Sequence, residues 1–439
     1  MQSNAAKLLV ECLENEGVKC IFGIPGEENI RFIDALQGSS IRFVLVRHEQ
    51  AASFMADMYG RLTGQAGVCS ATLGPGAINL LLGTTDAFTD SVPLVAISAQ
   101  VGLNRIFKET HQFVDLPSMF KPVTKYAGLV MSPSALPEMV RKAFKEAQSP
   151  RPGACYLAVP EDIEEMIVPA DAKPLPVNVV REDAPSPSQI KRAAAVLEDA
   201  KTPIILAGHG AARSNARDAL IRFSERLQIP VTTTFHGKGV FPDNHPNALG
   251  AMGFMRRDYV NFGFDEADVL ICVGYDLQEI DPAQINPDGN KKILHIQQYP
   301  AEVDSHYHLA VGIEGSIPLA LDELSRAVKP KKGLTATHHK IRALLREELE
   351  NGAKDSAFPM KPPRMVSDIR KAMDESDIVL VDTGAVRCGW PASIQHINPT
   401  HVSSPMASLL WHSLSPVPSE PNLPVQAGKC WPCAATLDS

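Results

Sequence analysis

The sequence lacks three features that would direct a chain to a membrane, out of the cell or to a nucleic acid. It has no apolar run of roughly 18 residues, the length that a membrane-spanning helix needs. Its N-terminus has neither the basic start nor the long apolar run of a signal peptide. The formal net charge of -8 disfavours bulk attraction to nucleic acid or anionic membranes. These absences predict a cytoplasmic protein that binds neither nucleic acid nor membranes.

Paired cysteines are also scarce. The chain has eight scattered cysteines, and only Cys430 and Cys433 form a CxxC pair. A structural zinc site built from such motifs needs a second pair. Free thiols in a reducing cytoplasm are therefore the simplest interpretation, and we predict no metal-ligand set in this chain.

Strand-like and helix-like segments alternate along most of the chain. Short apolar runs at residues 94–98, 203–207 and 269–273 are bounded by Gly, Pro or polar residues, and helical segments separate them. Such alternation is typical of parallel sheets covered by helices on both faces. We therefore predict an α/β protein built of repeated doubly wound parallel-sheet domains. The predicted domains are residues 1–165, 191–330 and, incompletely, 363–386, separated by a Pro-rich linker at 166–190 and by a charged helix and linker at 331–362.

Four motifs in the first domain carry the chemical signal. Taken alone, Glu49 is most simply a helix-start carboxylate favoured by the helix dipole, and an isolated glycine turn is most simply structural. The order and spacing of the four motifs together indicate a function more specifically than any single motif does. In chain order, the motifs are Gly23-Ile24-Pro25-Gly26, Arg47-His48-Glu49, Thr72-Leu73-Gly74-Pro75-Gly76 and Asp90-Ser91-Val92-Pro93-Leu94.

Together these motifs resemble the pyrimidine-binding domain of thiamine-diphosphate-dependent enzymes. Two further segments, Thr110-His111-Gln112 and residues 120–126, are most similar to the acetolactate synthases of that family. The resemblance covers roughly residues 1–386. It implies a pyrimidine-binding domain at 1–165, a central Rossmann-like domain at 191–330 and the start of a diphosphate-binding domain at 363–386.

The resemblance also implies roles for single residues. Glu49 would bond to the cofactor's pyrimidine ring and favour the tautomer that lets the thiazolium carbon lose its proton. Gln112 matches a position near the substrate. For the remaining matched residues a turn or packing role is the alternative to cofactor contact. The residues expected to contact the cofactor are Gly26, Thr72, Gly74, Pro75, Gly76 and Asn79.

The implied reaction is the condensation of two pyruvates to 2-acetolactate with loss of carbon dioxide, in branched-chain amino acid or acetoin synthesis. The alternatives are another thiamine-diphosphate-dependent 2-oxo acid decarboxylase and a non-catalytic binding protein. Pyruvate or another small 2-oxo acid is the expected substrate. Because the family builds its active sites between subunits, a homodimer or homotetramer is implied, whereas a small regulatory subunit stays open.

A second turn motif lies in the central domain. Gly208-His209-Gly210 follows a strand, precedes a helix and resembles a nucleotide-binding turn. In biosynthetic acetolactate synthases the equivalent domain binds FAD. The segment Val273-Gly274-Tyr275-Asp276 is instead closer to the catabolic, flavin-free branch, so the sequence leaves FAD binding open.

The composition changes abruptly near residue 387. Residues 388–439 hold all three tryptophans, eight prolines and three charged residues, where the chain average would give about eleven charged residues. The Gly-Asp-Gly turn through which the family binds Mg²⁺ and the diphosphate does not occur in the sequence.

If each codon's third base is joined to the first two bases of the next codon, with the free third bases chosen favourably, residues 387–394, 404–424 and 428–439 can be reread as segments similar to those of the family. We therefore predict that residues 387–439 are an out-of-frame, disordered tail, that the strand predicted at residues 378–382 has no sheet to join, and that the chain is inactive as written. A genuine Pro-rich disordered tail is the alternative.

Overall fold

The computed structural model describes residues 3–178, 183–252, 259–374, 377–381, 401–403 and 430–433. They fall into two compact units, and the chain passes from the first to the second between residues 178 and 183. Each unit contains a six-stranded sheet, and every strand pair in both sheets is parallel. The predicted α/β class is therefore confirmed, whereas the exact domain limits stay predictions.

The first unit has the strand order β2-β1-β3-β4-β6-β5. Its strands are β1 (Cys20–Gly23), β2 (Arg42–Leu45), β3 (Gly67–Ala71), β4 (Leu94–Gln100), β5 (Tyr126–Leu129) and β6 (Ala154–Pro160). Its helices are α1 (Ala5–Asn15), α2 (Ile30–Ala35), α3 (Glu49–Thr63), α4 (Gly74–Asn79), α5 (Leu81–Thr89), α6 (Leu116–Phe120), α7 (Leu136–Gln148) and α8 (Glu161–Glu165).

Strand β4 shows why the predicted strands are continuous apolar runs. Val95 and Ile97 belong to the apolar cluster that includes side chains of α1 and α7. Leu94 and Ala96 belong to the cluster on the other face, with side chains of α3 and α5. A parallel strand with helices on both faces buries both of its sides, so alternation of apolar and polar residues is lost.

A buried carboxylate joins α8 to the first turn of α2. Glu164 is 1% exposed, and its Oε2 accepts a hydrogen bond of 3.1 Å from the backbone N–H of Phe32. Burial raises the pKa of Glu164 to about 8, against which the Phe32 hydrogen bond and nearby Arg31 act only in part. The folded state therefore binds this proton more tightly than the unfolded chain does.

Replacing Glu164 with glutamine should remove a pH-dependent loss of stability. The unfolded carboxyl loses its proton near pH 4.5 and the folded one near pH 8, so the folded state loses stability as pH rises through this window. At pH 8.5 we expect Glu164→Gln to protect amides of α2 and α8 by on the order of 3 kcal/mol more than the unchanged protein. At pH 4.5 these amides should be protected equally in Glu164→Gln and in the unchanged protein. Hydrogen exchange read by mass spectrometry measures both.

The matched control is Glu165→Gln. Glu165 is 53% exposed and pairs with Arg31 at the surface, where an ion pair contributes little. If amide protection in α2 and α8 depended on pH equally in Glu164→Gln and in the unchanged protein, Glu164 would not be the source of the loss of stability.

The second unit has the strand order β12-β11-β10-β7-β8-β9. Its strands are β7 (Pro203–Ala207), β8 (Val231–Thr233), β9 (Ala248–Ala251), β10 (Val269–Val273), β11 (Lys292–Gln297) and β12 (Leu309–Glu314). Its helices are α9 (Pro187–Asp199), α10 (His209–Arg213), α11 (Arg217–Leu227), α12 (Asn261–Asp265), α13 (Pro282–Ile285), α14 (Ile317–Ala327), α15 (Ala336–Lys354) and α16 (Pro362–Ala372). The chain winds outward from β7 in one direction and from β10 in the other, as in a doubly wound Rossmann sheet.

A three-stranded parallel sheet follows α16 in the chain. Strand β13 (Ile378–Val381) lies between β14 (His401–Ser403) and β15 (Cys430–Cys433). The expectation that this strand has no sheet to join is therefore wrong, because its backbone groups pair on both sides. The rest of the predicted tail, residues 387–400, 404–429 and 434–439, lies outside the described residues.

Within the described part of the chain, no helix is both long and apolar enough to cross a membrane. The same residues contain no group of three or more His, Cys, Asp or Glu side chains that could hold a metal ion.

Candidate active site

Glu49 is the first residue of α3 and lies just beyond the carboxyl end of β2. The helix begins here because His48 has extended backbone and its Nδ1 accepts a hydrogen bond from the Gln50 N–H at 3.2 Å. The half-buried carboxylate of Glu49 accepts a hydrogen bond of 2.9 Å at Oε2 from Nδ2 of Asn79. One oxygen of the acid is thereby fixed, and the other accepts no hydrogen bond from the part of the chain that the structure describes.

The glycine turn after β3 forms the wall beside that second oxygen. A Cβ added at Gly76 would lie 3.3 Å from Glu49 Oε1 and 2.8 Å from Thr72 Cγ2. A side chain at position 76 would therefore crowd the space in front of the acid. Pro75 lies in the first turn of α4, where a helix has no use for the missing N–H.

Gln112 approaches the same turn through its backbone. Gly74 has a φ of +50°, and a Cβ there would lie 2.5 Å from the carbonyl oxygen of Gln112 and 3.0 Å from its Cβ. Gln112 itself has a φ of +53°, and its side chain is exposed. The structure thus brings the backbones of Gly74 and Gln112 together, and the expected role of Gln112 near the substrate stays a prediction.

The loop after β1 contacts the turn from another side. A Cβ at Gly26 would lie 2.5 Å from Thr72 Cβ, and Thr72 Oγ1 donates a hydrogen bond of 2.5 Å to Glu28 Oε2. The backbone N–H of Gly26 donates to Oδ1 of buried Asn29 at 2.7 Å. Sequence reasoning missed Glu28 and Asn29. Their position directly after the Gly-Ile-Pro-Gly motif was the available signal, because polar side chains there can bond back to the turn.

All eight residues named from the sequence therefore lie in one connected group. Glu49 contacts Asn79 and adjoins Gly76, Gly76 adjoins Thr72, and Thr72 adjoins Gly26. Gly74 and Gln112 continue the same wall through the turn that also contains Pro75. What the structure does not show is a role for each of them, so their roles stay predictions.

The other end of α3 is fixed by a buried ionic cluster. Arg61, whose side chain is 3% exposed, donates from Nε to Asp57 at 2.7 Å, and from one terminal nitrogen to Asp90 at 2.9 Å and Asp86 at 3.1 Å. Burial raises the pKa of Asp57 to about 7, and Arg61 offsets only part of that effect. Burial alone would lower the pKa of Arg61, but the three carboxylates raise it above its usual value. The cluster joins α3 to α5 and to the loop that leads into β4.

Comparison with known proteins places this geometry in a family. Residues 3–119 match the thiamine pyrophosphate enzyme N-terminal TPP binding domain, and residues 190–324 match the thiamine pyrophosphate enzyme central domain. Thiamine pyrophosphate is another name for thiamine diphosphate. The acetolactate synthase of Bacillus subtilis is 32% identical over 399 residues, which cover 88% of this chain and 68% of that protein. The chain belongs to the acetolactate synthase family of thiamine-diphosphate enzymes.

Other members of the acetolactate synthase family are similar to this chain to a comparable extent. Isozyme 1 large subunit of Escherichia coli is 32% identical over 397 residues, covering 90% of this chain and 69% of the relative. The probable large subunit of Methanocaldococcus jannaschii is 35% identical over 394 residues, or 86% of this chain. This chain spans 65% of the length of that relative. The resemblance inferred from the four motifs is confirmed.

The residues around Glu49 fit the pyrimidine end of the family cofactor. An aminopyrimidine ring needs an acid at a ring nitrogen and close approach without an intervening side chain, which Glu49 Oε1 and Gly76 would supply. The diphosphate end is different, because the described residues offer no cluster for Mg²⁺ and the sequence has no Gly-Asp-Gly turn.

Proposed function

We propose that this chain carries the pyrimidine-side half of an acetolactate synthase active site, in which two pyruvates condense to 2-acetolactate with loss of carbon dioxide. The observation that carries the proposal is the Glu49 carboxylate, which accepts a hydrogen bond from Asn79 on one oxygen and has the backbone of Gly76 beside the other. Family membership supplies the reaction class. The reaction and substrate themselves are inferred, since the chain spans only part of its relatives.

Thiamine diphosphate, when bound, supplies an electron sink once its thiazolium carbon has lost a proton. Glu49 Oε1 would share a proton with the pyrimidine ring nitrogen, while the Asn79 amide keeps the carboxylate from rotating. Gly76 would let the ring approach the acid without a side chain between them, and Gln112, whose backbone packs against Gly74, would lie near the 2-oxo acid. Gly26, Thr72 and Pro75 shape the remaining wall.

The assembly and setting of the enzyme also belong to the proposal. We infer that the intact protein is a cytoplasmic homodimer or homotetramer. The M. jannaschii and E. coli relatives are named large subunits, which favours a small regulatory partner here as well. Mg²⁺ would bind the cofactor's diphosphate, for which the described residues contain no ligand group and the sequence no Gly-Asp-Gly turn.

The decisive experiment compares two polypeptides in one assay. The chain with its present sequence, given pyruvate, thiamine diphosphate and Mg²⁺, should form no acetolactate, because it lacks the Gly-Asp-Gly turn that would make charge-assisted contacts to the metal-bound diphosphate. A version whose coding sequence is moved into the alternative frame after residue 386 should form acetolactate, detected as acetoin after acid treatment.

Each other outcome has a clear meaning. Acetaldehyde from the shifted version would show a 2-oxo acid decarboxylase instead. No product from a folded, cofactor-loaded shifted version would favour a non-catalytic binding protein. Acetolactate from the chain with its present sequence would overturn the out-of-frame interpretation.

A further inference from the structure

The central sheet has one crevice where a nucleotide would be expected. Strands β7 and β10 are neighbours, but the chain leaves them toward opposite edges of the sheet. Ligands of doubly wound folds bind at such a switch point, outside the carboxyl ends of the strands. Gly208 follows β7 there, Thr234 follows β8, and Gly274 to Asp276 follow β10.

The carboxylate of Glu279 already occupies this crevice. Its Oε2 accepts hydrogen bonds from the backbone N–H of His209 at 3.0 Å and from Thr234 Oγ1 at 2.6 Å. Its Oε1 accepts from the backbone N–H of Asp276 at 2.9 Å. Donors from the loops after three different strands thus converge on one internal anion.

The glycines at this point serve the internal contact. A Cβ at Gly208 would lie 2.6 Å from Glu279 Oε1 and 2.5 Å from the carbonyl oxygen of Gly274. The N–H of Gly210 donates to that same carbonyl oxygen at 2.7 Å. A Cβ at Gly274, whose φ is +58°, would lie 2.0 Å from the nitrogen of Ala211. The absence of side chains lets the two loops touch each other and leaves no gap between them for a diphosphate.

We propose that Glu279 takes the place of a nucleotide phosphate and closes the central unit to FAD. A carboxylate and a phosphate use the same N–H and O–H donors, so the two cannot occupy the turn together. A diphosphate brought to the crevice would also meet the negative charges of Glu279 and Asp276. The residues present therefore do not fit the flavin that the resemblance had left open. This inference concerns the central unit and stands independently of the role of Glu49.

The first test is a titration of the full chain with FAD, followed by flavin fluorescence and by equilibrium dialysis. Burial, together with neighbouring Asp276, raises the pKa of Glu279 to about 7, so pH 8.5 keeps the carboxylate ionised. We expect no saturable binding up to about 100 μM FAD, a concentration that would reveal any dissociation constant in the micromolar range. Stoichiometric binding with a micromolar dissociation constant would overturn the proposal.

The second test separates a phosphate surrogate from an ordinary structural residue. Glu279→Ala leaves three donors without their acceptor, so we expect its melting temperature to fall by about 5 °C. Inorganic phosphate, added at constant ionic strength, should restore part of this loss. The control Gln278→Ala alters the exposed neighbouring side chain and should show neither effect. A Glu279→Ala melting temperature that is unchanged, or that falls and does not respond to phosphate, would count against the surrogate role.

A milder variant covers the case in which Glu279→Ala does not fold. Glu279→Gln keeps the shape of the side chain but turns an N–H₂ group toward one of the three donors. Its melting temperature should lie below that of Gln278→Ala. Equal melting temperatures for these two variants would contradict the inference as directly as flavin binding would.

Discussion

Replacing Arg61 with methionine is expected to destabilise the first unit by about 4 kcal/mol. The guanidinium lies among Asp57, Asp86 and Asp90, with contacts between 2.7 and 3.1 Å. Methionine fills a similar volume but leaves three buried carboxylates facing one another. Removing one partner from a buried ionic group costs far more than the group itself contributes, because the remaining charges lose their compensation. Hydrogen exchange at the amides of α3 and α5 would measure the loss where it occurs.

The pH dependence of this loss gives a sharper test than its size. The pKa of Asp57 is already raised to about 7 by burial while Arg61 is present. Without Arg61, protonation is the main way to relieve the repulsion, so the variant should be least stable at high pH and should recover as pH falls. Adding Asp57→Asn to Arg61→Met should restore part of the stability at pH 8.5.

Arg42→Met is the matched control, because Arg42 is exposed on the edge strand β2. A surface change of this kind normally alters stability by no more than about 0.5 kcal/mol. If Arg61→Met behaved like Arg42→Met at every pH, the cluster would have no part in holding α3.

The buried strands could be predicted from the sequence because their signal is local. The runs predicted at residues 203–207 and 269–273 coincide with β7 (Pro203–Ala207) and β10 (Val269–Val273). Both are central strands of a parallel sheet, fully buried and unbroken by polar residues. A short apolar run bounded by Gly, Pro or polar residues is sufficient evidence for such a strand.

The polar clusters could not be predicted, because their members are far apart in the chain. Arg61 and Asp90 are 29 positions apart, and Glu279 reaches His209 over 70 positions. Each of these side chains, taken singly, is typical of a solvated surface. Only the winding of the sheet brings them together, and no periodic pattern in the sequence indicates which carboxylate will accept a hydrogen bond from which donor.

The candidate site could be predicted from the sequence only in part. Glu49 could be found because a specific set of motifs surrounds it, and the family supplied its role. The contact between Glu49 and Asn79 joins residues 30 positions apart. The motifs placed both residues near the cofactor without indicating that one holds the other. Glu28 and Asn29 escaped notice because they belong to no motif, although they fix Thr72 and Gly26.

Replacing Glu49 with glutamine is expected to lower turnover by about 100-fold or more. The change is made in the version whose coding sequence is moved into the alternative frame after residue 386. Glutamine keeps the shape of the side chain, and its carbonyl oxygen can still accept the hydrogen bond from Asn79. It cannot share a proton with a pyrimidine nitrogen, so the step that fails is deprotonation of the thiazolium carbon rather than cofactor binding. The rate at which that carbon exchanges its proton for deuterium, followed by NMR, should fall in parallel with turnover.

The control for Glu49→Gln is Glu138→Gln, at an exposed position in the first turn of α7. It makes the same chemical change away from Gly76 and Asn79 and should leave turnover and deuterium exchange unaltered. An enzyme that bound thiamine diphosphate equally well with glutamine at position 49, and also turned over at the original rate, would sink the proposed role of Glu49. Loss of turnover with unchanged deuterium exchange would instead move the role of this carboxylate to a later step, because the proton would then leave without its help.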